Sequence, residues 1–340
     1  MEKASLSKLA KELNLSISTI SKALQDSHEI SAKTKQLVNE LARKYNYTPN
    51  HFASSLRKGK TKSIAVIIPE IANNFFALSV DAVHTYSTEK GYDVFVYLTH
   101  ESLANEISVL KHLLVSRVDG IIMSLSSESK DCSHIQEFHA AADLPFVFFD
   151  RIGSLENFPR IITNNYESAF TATCHLLKQG AKNPVFLYTS EWLYISKERQ
   201  NGFKDALIKN GVNFTEEHII KCTEDDEINY SIIENLLSSQ NSPDAIFTSI
   251  EKLALIVYKV AKDLSIKIPD QVKVISFSNL RAAEFLGPPL STISQPAYEM
   301  GEQSVKLLFK MIEKIFYKNA NDIIVIDSKL NIRGSSIGRN

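Results

Sequence analysis

The stretch Ser5–Tyr47, SLSKLAKELNLSISTISKALQDSHEISAKTKQLVNELARKYNY, carries three short amphipathic patterns in succession. Leu6, Leu9, Ala10 and Leu13 fall at i, i+3, i+4 and i+7, the spacing of one helical face, and Ser5 stands at the N-cap position. Asn14 tolerates the left-handed backbone of a tight turn, and Ser16, just beyond Leu15, is placed to cap a second helix that runs to about Leu24. Ile20, Ala23 and Leu24 make its inner face. Ser31 caps a third helix, whose Leu37, Val38, Leu41, Ala42 and Tyr45 form one stripe. Three short helices, the first two joined by a turn of a few residues, meet the requirements of a helix-turn-helix, which seats its second helix in a major groove. The side chains left outside the stripe of that helix are Ile17, Ser18, Ser21 and Lys22. Lysine can donate to guanine, small hydroxyls serve either base, and Ile17 can meet a thymine methyl. A small three-helix bundle with a solvated face would show the same pattern, so charge has to decide.

The chain has 340 residues and a formal charge of −1. Taken whole, that balance speaks against nucleic acid as a partner. Residues 1–60, however, hold 11 basic and 5 acidic residues, a net +6, which leaves −7 for the rest. A basic head on an acidic body favours the DNA-facing reading. Beyond the third helix, Pro49 suits a first helical turn and Gly59 a stop, so residues 50–57 can form a short helix. A helix that short is marginal alone and is expected to order only against DNA or a second copy of itself.

From Ser5 to Pro69, and most clearly in Ser5–Tyr47 followed by TPNHFASSLRKGKTKSIAVIIP, the chain resembles the N-terminus of LacI/GalR-type bacterial transcription regulators. The resemblance implies that residues 48–61 hold the hinge helix. It also implies that Leu56 of each protomer wedges into the minor groove at the centre of a palindromic operator and kinks it. Ser16, Ile17, Ser18, Thr19, Ser21 and Lys22 match the recognition helix. His28, Ser31 and Thr34 match positions that contact phosphates or nearby DNA, and Ser5, Leu6, Asn50 and Ala53 complete the DNA-binding set. The family often has Arg at the places of Lys22 and Ser54, which makes the guanine contact less specific here.

From residue 62 the pattern changes to short apolar runs spaced by helix-length segments. They are Ile64–Ile68, Val94–Leu98, Gly120–Met123, Pro145–Phe149, Val185–Tyr188, Ala245–Phe247 and Val272–Phe277. Such runs indicate parallel sheets in doubly wound α/β domains, whose ligands sit at the carboxyl ends of the strands. Two sets, on either side of residues 155–165, predict two subdomains with a cleft between them. The strand ends carry no GxGxxG, P-loop, GxSxG or HExxH, so no catalytic residue, cofactor or metal is expected. Cys132 with His134 and Cys174 with His175 are neighbours that diverge on a helix, and they read as structural. Three widely spaced cysteines without a CxxC suit reduced thiols in the cytoplasm better than a disulfide framework or a zinc site. The charged N-terminus lacks a signal peptide's apolar core, and no run approaches a membrane span, so a cytoplasmic protein without a membrane partner is expected.

The body resembles the same family over nearly its whole length, through NNFF (Asn73–Phe76), RVDGIIM (Arg117–Met123), FFDR (Phe148–Arg151), RQNGFKDAL (Arg199–Leu207), PDAIFTS (Pro243–Ser249) and PPLSTISQP (Pro288–Pro296). This implies a periplasmic-binding-protein-like core with crossovers near residues 160, 291 and 325 and a small effector in the cleft. The expected division is a head at 1–47, a hinge at 48–61 and a core at 62–340. The core's N-subdomain would span about 62–160 and 292–324, its C-subdomain about 161–291 and 325–340. Carried over by position, Phe75 and Phe76 wall the cleft, Asp150 accepts from ligand hydroxyls and Arg199 donates to hydroxyls or a carboxylate, which suits a sugar or another polar ring. A cross-cleft salt bridge between Asp150 and Arg199, and plain core packing for the two Phe, are the alternatives. Where relatives commonly have S-N-D and F-D-D, this chain has Ser249-Ile250-Glu251 and Phe277-Ser278-Asn279. Ile250 and Ser278 join the effector-binding set, and the C-terminal side of the pocket is expected to be less polar than in typical sugar-responsive members.

The leading expectation is a homodimeric transcriptional regulator on a pseudo-palindromic double-stranded operator, with DNA affinity modulated by a small carbohydrate or related polar metabolite. A sugar-binding protein without a transcriptional role explains residues 62–340 but not the basic head. An enzyme on the same sheets is disfavoured by the missing motifs.

Overall fold

The computed structural model describes residues 5–47, 61–116, 118–142, 144–153, 155, 157–313 and 322–338. The chain divides into two compact units, Met1–Thr61 and Lys62–Asn340.

In the first unit, helices α1 (Leu6–Glu12), α2 (Ile17–Leu24) and α3 (Ala32–Lys44) follow the expected spacing. Each is capped by the expected serine, whose Oγ accepts the backbone N–H of Lys8, Thr19 or Thr34 three residues on. These caps satisfy one orphan donor per helix. Asn14 takes φ 50° in the turn between α1 and α2, as expected of a residue that tolerates the left-handed region. The core is Leu9, Ala10, Ile20, Ala23, Val38 and Ala42, with Leu13, Leu24, Leu41 and Tyr45 packed around it. Leu37 does not belong to the stripe as expected. It is 47% exposed, because one helical step from the buried Val38 turns it about 100° away from the core.

Among the described residues the second unit holds two six-stranded sheets. The N-terminal sheet contains β1 (Ser63–Ile68), β2 (Asp93–Leu98), β3 (Ile121–Met123), β4 (Phe146–Phe149), β5 (Arg160–Thr163) and β11 (Ile323–Ile326), in the order β11-β5-β4-β3-β1-β2. Helices α4 (Asn74–Glu89) and α11 (Ala297–Ile312) cover one face through Val66, Phe76, Met300 and Leu308. Helices α5 (Leu103–Val115) and α6 (Ser133–Ala142) cover the other through Ile67, Leu110, Ile135 and Phe138. The C-terminal sheet contains β6 (Pro184–Tyr188), β7 (Ile219–Lys221), β8 (Ala245–Thr248), β9 (Lys273–Phe277), β10 (Ser291–Ser294) and β12 (Lys329–Asn331), in the order β12-β10-β9-β8-β6-β7. Helices α7 (Asn165–Lys178) and α8 (Tyr194–Lys209) lie over the Phe186–Phe247 face, and α9 (Asp226–Ser238) and α10 (Glu251–Asp263) over the Ile246 face. β1 is buried along its whole length, as a strand covered on both faces must be.

Neighbouring strands run parallel except β10 and β12, which pair antiparallel at the edge. This edge arises because the chain leaves β11 in one sheet and enters β12 in the other within a few residues. The crossings follow β5, β10 and β11, a few residues beyond the expected 160, 291 and 325. They are laced together: Asn164 Oδ1 accepts from Ser328 N at 2.9 Å, and Asn331 Nδ2 donates to Ser294 Oγ at 3.0 Å. Two glycines let helices approach closely within each half. A Cβ at Gly301 of α11 would lie 2.2 Å from Ser79 O of α4, and one at Gly202 of α8 would lie 2.3 Å from Tyr166 O of α7.

Candidate functional site

In the first unit, the expected DNA-facing side chains gather on one short helix and its flanks. Ile17 is 45% exposed despite its apolarity, and Ser16, Ser18, Lys22, His28 and Ser31 are exposed, with Thr19, Ser21 and Thr34 half-buried. An exposed isoleucine on an eight-residue helix is costly to hydrate, so a partner surface that covers it repays its burial. Three hydroxyls have local duties as well. Ser5 and Ser16 cap, and Ser31 Oγ lies 2.9 Å from Thr34 Oγ1. Leu6 is half-buried and packs against the core rather than facing outward alone. Lys22 is ion-paired with Glu29, about half-exposed on both sides, a partner that spacing did not reveal. Any base contact by Lys22 must first displace that carboxylate. Asn50, Ala53 and Leu56 lie outside the described residues.

In the second unit all six expected effector residues, Phe75, Phe76, Asp150, Arg199, Ile250 and Ser278, line a single cavity between the subdomains. Five are delivered by the end of a strand or the start of a helix, and Arg199 by the second turn of α8. Asn73 caps α4 by accepting from Phe75 N at 2.9 Å, which fixes the two Phe at the helix entrance. They serve core and wall together: Phe75 and Phe76 are 5% and 1% exposed, and Phe75 stacks on Phe149 at 6.2 Å. Asp150 follows β4 with φ 57°, and its Oδ1 accepts from Gln295 Nε2 at 2.9 Å.

Arg199, 3% exposed, lies over the Phe277 ring at 3.7 Å. Its Nε donates to Asn165 Oδ1 at 2.8 Å and its Nη1 to Ser249 O at 2.7 Å. Its Nη2 is buried with no hydrogen-bond partner among the described residues. Burial pushes the guanidinium down to about 10 against the pull of Asp150, and Arg151 adds to the fall. It stays cationic at neutral pH. A buried, unmet donor costs about 1–3 kcal/mol, recovered when an acceptor enters. Asp150 and Arg199 form no ion pair within 4 Å among the described residues, so the expected alternative of a cross-cleft bridge does not describe this state.

The C-terminal wall carries polar groups beside Ile250 and Ser278. Glu251 also lines the cavity, and Ser278 Oγ donates to its Oε2 at 2.8 Å, while Ser249, Asn279 and Gln295 add polar atoms. Glu251 reaches in from the first turn of α10, so an acidic group stands beside Ser278. Sequence reading also missed Gln295 and Arg151. Gln295 joins the halves through Asp150 and through Asn279 Oδ1, which accepts its N–H at 3.1 Å. Arg151 pairs with Glu101 at 2.7 Å; burial works against its charge, but Glu101, Asp150 and Glu224 outweigh it and raise the group. The space left in this cavity is about 40 Å³, room for about one water.

His134 bonds Glu106 and His175 bonds Ser336, each through Nε2. Burial raises the Cys222 thiol to about 12, which leaves it inert. Among the described residues no group of three or more His, Cys, Asp or Glu side chains is placed to hold a metal ion, and no helix is long and apolar enough to cross a membrane.

Comparison with known proteins agrees with both units. A profile described as "Bacterial regulatory proteins, lacI family" matches residues 5–50, and one described as "Periplasmic binding proteins and sugar binding domain of LacI family" matches residues 61–331. The chain is 29% identical to the HTH-type transcriptional repressor PurR of Mannheimia succiniciproducens, covering 98% of each. It is 27% identical to catabolite control protein A of Priestia megaterium, covering 90% of this chain and 92% of that one. Its fold is that of the lac repressor dimer bound to operator and the anti-inducer ONPF, with a TM-score of 0.86 at 19% identity, covering 99% of this chain and 100% of that one.

Proposed function

The chain belongs to the LacI family of bacterial regulators, and from that premise we propose how its two units divide the work of a transcriptional repressor. The head reads a pseudo-palindromic operator as a homodimer. Ile17, Ser18, Ser21 and Lys22 meet base edges, and Ser5, Leu6, Ser16, Thr19, His28, Ser31 and Thr34 set the register. Asn50, Ala53 and Leu56 act in the hinge, with Leu56 as the wedge at the operator centre. The work is done in the cytoplasm, where a bacterial chromosome lies. That a lac repressor dimer of the same fold has been seen on its operator supports the dimeric arrangement.

The body senses a small polar metabolite in the cleft. The observation that carries this reading is the buried Nη2 of Arg199, which has no hydrogen-bond partner among the described residues, in a cavity that also holds Asp150 and Glu251. Such a donor beside carboxylate acceptors suits a ligand that presents both hydroxyl donors and an acceptor, as a sugar or related polyol does. A ligand can shift operator affinity only through its different affinity for two states of the cleft. The cleft in this structure, with its filled interior, is one such state.

Binding of the full-length protein to duplexes selected from genomic fragments, against random duplex of equal length, tests the proposal. Selective binding that weakens steeply as salt rises is the expected result, since phosphate neutralisation releases counterions. Equal affinity for selected and random duplex at every salt concentration would overturn it.

A further inference from the structure

The mouth of the cleft is a chamber of about 570 Å³, lined by Ser127, Lys130, Ser190, Trp192, Lys221 and Glu224 among others. Two loops reach across it, one after β3 in the N-terminal half and one between β6 and α8 in the C-terminal half. They meet twice. Lys130 Nζ covers the ring of Trp192, the chain's single tryptophan, at 4.6 Å from its centre, and Ser190 Oγ donates to Ser127 O at 3.1 Å.

Each loop is anchored in its own half. Glu106, fully buried, accepts from Ser126 N and Ser129 Oγ at 2.8 Å each and lies 2.6 Å from His134 Nε2. A buried carboxylate is tolerated only when satisfied in this way, so Glu106 fixes the loop that carries Ser127 and Lys130. Ser127 N donates to Glu101 Oε2 at 2.7 Å, which leaves its carbonyl to reach across the gap. On the other side Leu193 is 5% exposed and caps α8, while Trp192 beside it is 42% exposed at the mouth. Arg199 lies in the second turn of that helix, so any shift of this loop is passed to the donor of the inner cavity.

Charge works against the two contacts. Glu128 and Asp131 of one half line the same space as Glu191 and Glu224 of the other, with only Lys130 and Lys221 to balance them in this lining. Lys221 pairs with Glu191 at 3.2 Å, inside the C-terminal half. Burial first, and then Glu101 of the opposite half, hold the Glu224 carboxyl above the usual range, more than Arg151 and Lys252 offset. An ionised Glu224 therefore favours separation of the halves. An ammonium on an indole face adds attraction without adding another carboxylate to this crowded gap.

We propose that the Lys130–Trp192 and Ser190–Ser127 contacts form a clasp that holds the cleft in this state without a ligand, against the push of the carboxylates beside it. A ligand then acts on an equilibrium that the clasp has already set. The consequence for DNA rests on the proposal that operator affinity follows the state of the cleft.

The test is amide exchange of the ligand-free, full-length protein, read at Gln295 and Ser328, whose N–H groups bond side chains at the crossings, with operator affinity measured on the same variants. Lys130→Ala and Trp192→Ala are each expected to speed exchange there about threefold, and the double variant no more than either, since both remove one contact. Trp192→Phe, which keeps a ring under the ammonium, retains most of the protection, and Glu224→Gln slows exchange by removing the push. Operator affinity moves one way in the two opening variants and the other way in Glu224→Gln. Unchanged exchange in both Lys130→Ala and Trp192→Ala overturns the clasp, as does a double variant whose effects simply multiply. Faster exchange with operator affinity unchanged keeps the clasp and overturns the reading that the cleft controls the head.

Discussion

The head and the body place their working groups on opposite sides of the water boundary. In the head, Ile17, Ser18 and Lys22 are exposed, and each helix that carries or supports them is fixed by a serine three residues from the N–H it caps. In the body, Asp150 and Arg199 are 4% and 3% exposed and are positioned by contacts distant in sequence. Gln295 reaches Asp150 across 145 residues, and Ser79 bonds Ala297 across 218. An exposed reader needs only a rigid local frame, and it shields its own charge when free, as Glu29 shields Lys22. A buried sensor holds its donor out of water, so that the ligand's acceptor is not traded one for one against solvent. The difference explains how one chain of net charge −1 carries a head of +6 and a body of −7.

This contrast can be broken at either end. The largest effect is expected of Gly301→Val, whose side chain would meet Ser79 O, backbone that cannot yield. The body should lose about 4 kcal/mol or more of stability, read by Trp192 emission in denaturant, with the melting of the head unchanged. A matching loss in the head would show that the units do not fold separately. Asp150→Ala follows, with ligand affinity down a hundredfold or more, about 3 kcal/mol, and operator affinity without ligand retained. An unaltered ligand response would make Asp150 purely structural.

Leu56→Ala should weaken operator binding by about 2 kcal/mol through loss of the wedge, with calorimetric ligand affinity nearly unchanged. Equal operator affinity would sink the wedge assignment. The smallest effect belongs to Glu29→Gln. Freeing Lys22 from a half-exposed ion pair should tighten operator binding by less than about 1 kcal/mol, more at low salt than at high. Weaker binding would mean that Glu29 orients Lys22 rather than shields it.

The head was legible almost whole because its determinants are local. Ser5, Ser16 and Ser31 announce their helices, and the Leu9, Ile20 and Val38 faces follow from the 3.6-residue period. Leu37 was misplaced because it adjoins Val38 in sequence but not on the helix face, and the Lys22–Glu29 pair depends on the fold of the turn between α2 and α3. In the body, the long buried strands were legible as apolar runs. β5, β7, β10, β11 and β12 were not, because three or four residues at a sheet edge or a crossing carry no clear period. Phe75, Phe76, Asp150, Arg199, Ile250 and Ser278 came from family resemblance and converge on one cavity. Glu251, Gln295 and the Trp192 chamber could not be read, since they exist only where three crossings bring distant strand ends together.

The central claim is that a sequence-reading head and a metabolite-sensing body share one chain, and sequencing the genomic fragments captured by the full-length protein tests it most directly. One recurrent pseudo-palindromic motif is expected, lost from the captured pool when the same chain carries Leu56→Ala and retained when it carries Asp150→Ala. A captured pool with no motif beyond that of the input fragments would contradict the account.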